Sequence, residues 1–393
     1  MVEKNGNNDL RVSLTPLKEA SKLDVLLISL IALMPYVHFV VSAMMLITVG
    51  IAIMIMKKTR QAVLEQKTLT LVAALITLLS AFSSLVSGNV IGLAVTFGII
   101  LILICGAYAR SVMRAKLTVQ VFRIVGCGSI FTLIIVLIQR LAEKNPGYRP
   151  TGWQWNANYL GAVAVMSALI SVVAFFEDYG CDVTGKIKLE KIFYGIAFLS
   201  DLAIILICES RSSLLAIMAC IIVYMLIRKH YILCGLAVVG GIGVWALGMI
   251  SPELFGWANS LTYVFTQRYD IWMCAFKSFL SGPVEFLIGR GPMTYRFVWQ
   301  AEGLYGADHA HNILFDTLIN VGIVGFVLYL FLIADFVKNM LKQRENHDKC
   351  AFTLSLLALT AIFVQGIADV TIMWHQSACL FILMCSVRAA HEK

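Results

Sequence analysis

His309, His311 and Asn312 stand at the mouth of an apolar stretch long enough to span a membrane, with nine residues between Asn312 and Gly322-Ile323-Val324-Gly325. Imidazole titrates near neutrality, which makes it the side chain best suited to accept a proton there. His311 and Asn312 open the expected helix, and Asp308 is placed to cap it. The positive end of the helix dipole favours a neutral, proton-accepting imidazole, so His311 is the candidate base. Position alone fits an ordinary polar cap better. On a helix, His309 and His311 would diverge, and as metal ligands they would need partners from elsewhere. We expect no metal and no cofactor.

Arginine is the second chemical signal. Arg211 follows Cys208-Glu209-Ser210 and precedes Ser212, so it occupies a hairpin tip among hydroxyls and helix N-terminal amides, a setting that suits phosphate. Arg268, in Gln267-Arg268-Tyr269-Asp270-Ile271-Trp272, lies on an amphipathic piece that points a guanidinium toward the same anion. Pairing of Arg211 with Glu209, and of Arg268 with Asp270, are the simpler alternatives. Arg290, Arg296 and Trp299 follow in the same stretch, and Asp201 and Asp369 are acids in or near spans, which are functional candidates by default.

The elements that must hold these residues are membrane helices. Hydrophobic residues make up 60% of the 393, charged residues 14%, and mean hydropathy is +0.84, well outside soluble proportions. A span needs about 20 apolar residues. Twelve candidates lie at 23–35, 38–56, 68–86, 89–108, 118–139, 158–176, 190–207, 212–227, 231–249, 313–337, 351–368 and 372–388. Pro35 divides the first apolar run, which is either one long helix or a tight hairpin. The fold class expected is an all-α polytopic membrane protein with about twelve spans.

Five parts follow: a cytoplasmic segment 1–22 without a removable signal peptide, spans over 23–249, a long outer loop at 250–312 with short amphipathic helices such as 269–280, spans over 313–388, and a cytoplasmic tail 389–393. Of the 31 Lys and Arg, only Arg140, Lys144, Arg149, Arg211, Arg268, Lys277, Arg290 and Arg296 fall in outer loops, and Arg123 begins a span. The positive-inside rule fixes that orientation. Arginine dominates outside and lysine inside. Guanidinium groups match phosphate oxygens in two-point geometry, so the outer face is suited to an anion. Six of the seven tryptophans, Trp153, Trp155, Trp257, Trp272, Trp299 and Trp374, also fall on that side. An interfacial belt explains much of this, and a sugar-stacking surface is the alternative. The ten cysteines are scattered, most in apolar runs without CxxC spacing, and read as small buried hydrophobes.

Several segments together resemble the O-antigen ligase and polysaccharide polymerase superfamily of bacterial membrane glycosyltransferases. They are Ser210-Arg211-Ser212-Ser213-Leu214-Leu215, Arg268-Tyr269-Asp270-Ile271-Trp272 before Gly289-Arg290-Gly291, Ala310-His311-Asn312 leading to Gly322-Ile323-Val324-Gly325, and Gly366-Ile367-Ala368-Asp369. The resemblance implies a fold similar to the GT-C type and an inverting, metal-independent transfer of a glycan from an undecaprenyl-diphosphate carrier. His311 would deprotonate the acceptor hydroxyl, and Arg211 and Arg268 would hold the departing diphosphate. Asn312, Asp308, His309, Arg290, Arg296, Trp299 and Asp369 would support or bind substrate. Implied partners are the carrier-linked donor, a lipid A core or carrier-linked glycan acceptor and membrane lipids, with no nucleic acid. The implied location is the cytoplasmic membrane, with the site facing the periplasm or exterior. The chain contains no DxD pair, so arginine must supply the charge that a divalent ion would otherwise bring. A ligase is favoured over a polymerase by the histidine spacing. A flippase or transporter would be expected to bury charge in several spans and to show internal repeats. A non-catalytic assembly subunit is a third reading.

Overall fold

A computed structural model of the chain describes residues 20–145, 147–177, 187–250, 256–301 and 307–388. Every regular element among them is helical. In order they are α1 (Lys22–Leu33), α2 (Phe39–Ile55), α3 (Lys57–Glu65), α4 (Lys67–Val86), α5 (Val90–Val112), α6 (Ala115–Ala142), α7 (Ala157–Phe176), α8 (Ile187–Ile207), α9 (Arg211–Ile227), α10 (Tyr231–Ile250), α11 (Gly256–Phe279), α12 (Pro283–Ile288), α13 (Tyr295–Ala301), α14 (Ile313–Glu345), α15 (Lys349–Gly366) and α16 (His375–Met384). Each of the twelve apolar stretches falls on a helix. Six helices, α4, α5, α6, α7, α14 and α15, are long and apolar enough to cross a membrane, and the bent pair α2 and α3 makes up to seven. Helices α9, α16 and the Tyr231–Gly240 part of α10 are shorter apolar helices. The calls on 1–19 and 389–393 lie outside the described residues.

Pro35 stands in a 3₁₀ turn, Met34–Tyr36, that separates α1 from α2; having no backbone N–H, it cannot continue the α-helical ladder. Residues 23–56 are therefore two helices. At Met56 the chain turns 91° into α3, which carries Lys57, Lys58 and Arg60. A short basic amphipathic helix set across the end of a span suits the headgroup layer.

The bundle shows the polarity expected of a protein in lipid. On α4, Leu71, Leu75, Leu78, Phe82 and Leu85 are exposed, while Val72, Ala73, Ile76, Ser80 and Ser83 are buried. Large apolar side chains face out at helical spacing, and small or hydroxyl-bearing ones face neighbouring helices. Helix α7 is the central post: 83% of its apolar window is buried. Gly161 lets α7 approach the start of α9, because an added Cβ would lie 2.7 Å from Ser210 Cβ.

Residues 256–301 depart from the expected chain of short pieces. One 24-residue helix, α11, covers the segment expected to begin at Tyr269, because Arg268, Asp270 and their neighbours are compatible with helix and the first breakers are Gly282-Pro283. Helices α11 and α13 build a separate apolar cluster around Ala275, Phe279, Tyr295 and Ile319. That cluster seats them on the first half of α14.

Helix α14 opens where the sequence places GIVG. Gly322 has φ +63°, and an added Cβ would collide with the backbone of Leu287 and Ile288. Gly289, at φ +68°, would collide in turn with the backbone of Asn320 and Val321. The carbonyls of Ile319 and Asn320 instead accept from Arg290 N at 3.0 Å and Gly291 N at 2.7 Å. The two glycine motifs are therefore one interlocked joint between α12 and α14.

Candidate active site

The joint fixes the residues on either side of it. Asn312, not Asp308, caps α14: its Oδ1 accepts from Leu314 N at 2.9 Å and Phe315 N at 3.3 Å, and its Nδ2 donates to Ile367 O at 3.1 Å. Asp308 is too far upstream and faces Arg296 across 3.8 Å, with both side chains about half exposed. A pair so open to solvent adds little. Asp316, in the first turn of α14, is buried; its Oδ1 accepts from Ala310 N at 2.9 Å and its Oδ2 from Asn320 Nδ2 at 2.8 Å.

Because Ala310 is tethered in this way, His309 and His311 converge, contrary to the divergence a helix would impose. His311 takes φ +48°, which ends the extended approach and turns both rings inward to a centroid separation of 4.4 Å. Both meet one carboxylate oxygen. Asp369 Oδ1 lies 2.7 Å from His309 Nε2 and 3.3 Å from His311 Nδ1, and it accepts from Val370 N at 2.8 Å. Asp369 Oδ2 accepts from Asn158 Nδ2 at 2.8 Å. Asn158 is held by Arg149, whose Nη2 donates to Asn158 Oδ1 at 2.8 Å and whose Nε donates to Cys208 O at 2.9 Å. One carboxylate thus joins α7, the tip before α9, the mouth of α14 and the end of α15.

The charges of the cluster follow from this geometry. Burial alone would raise the pKa of Asp369, but hydrogen bonds from the two histidines and their charge overcome it and hold the carboxyl well below its ordinary range. Burial alone would lower His309; its hydrogen bond and attraction to Asp369, aided by Asp316 and Asp308, prevail and raise it. The geometry thus favours the protonated imidazole of His309 and the ionised carboxylate of Asp369. With a carboxylate oxygen 3.3 Å from His311 Nδ1, the geometry favours the tautomer that places N–H at Nδ1 and the acceptor at Nε2. No hydrogen-bond partner for that Nε2 is found among the described residues.

The arginines approach the cluster from two sides. Arg211 is exposed at the first position of α9, and Ser210 makes no side-chain cap; its Oγ instead meets Ser213 Oγ at 2.8 Å. The first amides of α9 remain open to an anion. Arg268 is half-buried, and its Nη1 is buried without a hydrogen-bond partner among the described residues. Burial lowers its pKa, the charge of Asp369 opposes that, and the charge of Arg211 adds to the lowering. Arg268 thus lies in the field of both. Neither the Arg211–Glu209 nor the Arg268–Asp270 pair forms among the described residues. A buried guanidinium N–H left unsatisfied costs about 1–3 kcal/mol or more, which an anionic ligand would relieve.

Around the cluster, Tyr159 stacks on Trp374 with centroids 4.9 Å apart and planes 7° apart, and lies 6.3 Å from the ring of His309. Trp155 extends this wall and is 56% exposed. Arg290 bonds Glu285 and Ser281 instead of the cluster, and Trp299 packs into the α11–α13 core with its Nε1 unpartnered. Asp201 lies elsewhere, accepting from Ser129 Oγ at 2.9 Å between α6 and α8. His309, His311 and Asp369 bring one ligand atom each within 4.8 Å of one another, close enough to hold a metal ion after small shifts; as placed, their contacts have hydrogen-bond lengths.

Sequence reasoning passed over Asn158, Asp316 and Asn320, and it named Arg149 only as one of the outer basic residues. Of the three, Asp316 alone carried a signal, as an acid inside a span.

A bundle of apolar helices that gathers a histidine pair, a buried carboxylate and two arginines defines a polytopic membrane protein with a polar cluster among its helices. Residues 196–330 match the family model described as O-Antigen ligase, which supports a place in the O-antigen ligase superfamily. The matched segment runs from α8 into α14 and takes in Arg211, Arg268, His309 and His311. The match supports a membrane glycosyltransferase-like function in polysaccharide assembly. No curated protein matches the chain.

Proposed function

We propose that the protein transfers a glycan from an undecaprenyl-diphosphate carrier to a sugar hydroxyl, in the manner of an O-antigen ligase, at the outer face of the cytoplasmic membrane. The observation that carries this reading is the shared contact of His309 and His311 with Asp369 beside the unpartnered guanidinium of Arg268. Its outward orientation is supported by the basic residues Lys57, Lys58, Arg114 and Lys342, which belong to the opposite helix ends.

In the proposed reaction His311 Nε2 takes the acceptor O–H proton while Asp369 holds Nδ1–H and steadies the imidazolium that forms. The acceptor oxygen attacks the anomeric carbon from the face opposite the diphosphate, and the bond from that carbon to the diphosphate oxygen breaks. The configuration inverts. Arg268 and Arg211, with the open amides of α9, take up the charge that builds on the leaving diphosphate. Protonated His309 adds a further positive charge at the cluster. This scheme needs no metal ion.

A polymerase that uses a second carrier-linked glycan as acceptor has the same chemistry at the anomeric carbon. A flippase or transporter is the more distant alternative. Purified protein incubated with carrier-linked glycan, with and without lipid A core, separates these readings. A single transfer to the core identifies a ligase, a ladder identifies a polymerase, and no product with either acceptor overturns glycan transfer.

A further inference from the structure

A second cavity, of about 340 Å³, opens between the α4–α5 turn, the C-terminal half of α11 and α13. Most of its polar wall is already committed. Asn89 Nδ2 donates to Arg290 O, Pro292 O and Thr294 Oγ1, Asn89 Oδ1 accepts from Gly92 N, and the Arg290 guanidinium is held by Glu285 and Ser281. What remains is a specific set: the Lys277 ammonium and the hydroxyls of Ser87 and Ser278 have no partner among the described residues, and Phe297 on the rim is 48% exposed.

Free hydroxyls facing a half-open aromatic ring make the usual surroundings of a pyranose, which offers hydroxyls at its edge and C–H groups on its face. An unpaired ammonium among them selects a negative charge on that sugar. The cavity is also tied to the histidine cluster. Thr294 N donates to Asn320 Oδ1 at 3.3 Å, Asn320 Nδ2 to Asp316 Oδ2 at 2.8 Å, and Ala310 N to Asp316 Oδ1 at 2.9 Å. A ligand in the cavity would rest on the same rigid joint that orients His309 and His311.

We infer that this cavity is an acceptor subsite for an anionic sugar, a uronic acid or sugar phosphate, held by Lys277, Ser87, Ser278 and Phe297. The inference rests on the glycan-transfer reading for its purpose but not for its chemistry. The test is saturation-transfer NMR on the full chain in lipid nanodiscs, with galacturonic acid, galactose and inorganic phosphate as probes. Galacturonic acid is expected to receive saturation and galactose to receive none at the same concentration. Lys277→Ala should weaken galacturonic acid binding about tenfold, in line with loss of one charge-assisted hydrogen bond, and Lys277→Arg should restore it. Equal response to galactose, no effect of Lys277→Ala, or displacement of galacturonic acid by phosphate at equal affinity would each overturn the subsite. Binding that depends on Lys277 in a protein that transfers no glycan would keep the subsite and remove the glycosyltransferase reading. Transfer without galacturonic acid binding would do the reverse.

Discussion

Asp369 is the residue on which the proposed chemistry turns, because it receives His309, His311, Val370 N and Asn158 at once. Asp369→Asn should leave a folded protein whose transfer rate falls by about 10² or more, the usual weight of an oriented base, as read from product formation. Arg268→Lys keeps the charge but loses the fork, so titration with carrier diphosphate should show binding about tenfold weaker; unchanged affinity would remove Arg268 from the clamp. The cluster also predicts a pH dependence of stability. His309 is raised above 6.5, so the stability it lends is present below that value and is lost as pH rises through its folded pKa; Asp369 is depressed below 3.8, so its contribution is present above that value and is lost only on acidification. Thermal unfolding should therefore be most resistant between those limits, and His309→Gln should flatten the alkaline side. At this scale the sequence was readable where a side chain announces itself alone. His311 and Arg268 stand out as polar residues in an apolar chain, whereas Asp369 gains its meaning from partners 58 and 60 residues away.

The elements explain why GIVG follows the histidines at a fixed distance. Nine residues of α14 separate Asn312 from Gly322, and the break at Gly322 releases the carbonyls that dock Gly289-Arg290-Gly291. Gly322→Ala meets both the left-handed penalty of about 1–2 kcal/mol and a backbone collision. It should lower the melting temperature and reduce transfer together; a variant with normal stability and normal activity would show that the joint is dispensable. The motif was visible as spacing, but its interlocking with Gly289 was not, since nothing local to either glycine names the other. The cap shows the opposite case. Asn is as strong a helix N-cap as Asp, so the choice between Asp308 and Asn312 depended on where the helix begins, the least legible feature of a sequence.

Across the whole molecule, the pattern of apolar runs was legible because lipid imposes it: each run became a helix, and Pro35 marked the break between α1 and α2. The course of residues 256–279 as a single helix was not, because amphipathic segments packed on other protein obey no fixed length. The bundle brings the ends of α7, α9, α14 and α15 and the middle of α11 to one cluster, and the proposed use of that cluster is proton removal from an acceptor sugar beside a departing diphosphate. Chelator should leave this transfer unchanged; loss in EDTA with recovery on adding one divalent ion would assign the His309, His311 and Asp369 atoms to a metal instead. The most direct test is the initial rate of glycan transfer from carrier-linked donor by purified His311→Ala protein, compared with the unaltered chain at equal folded concentration. The expected result is a loss of about 10²-fold or more, and transfer at an undiminished rate would contradict the account.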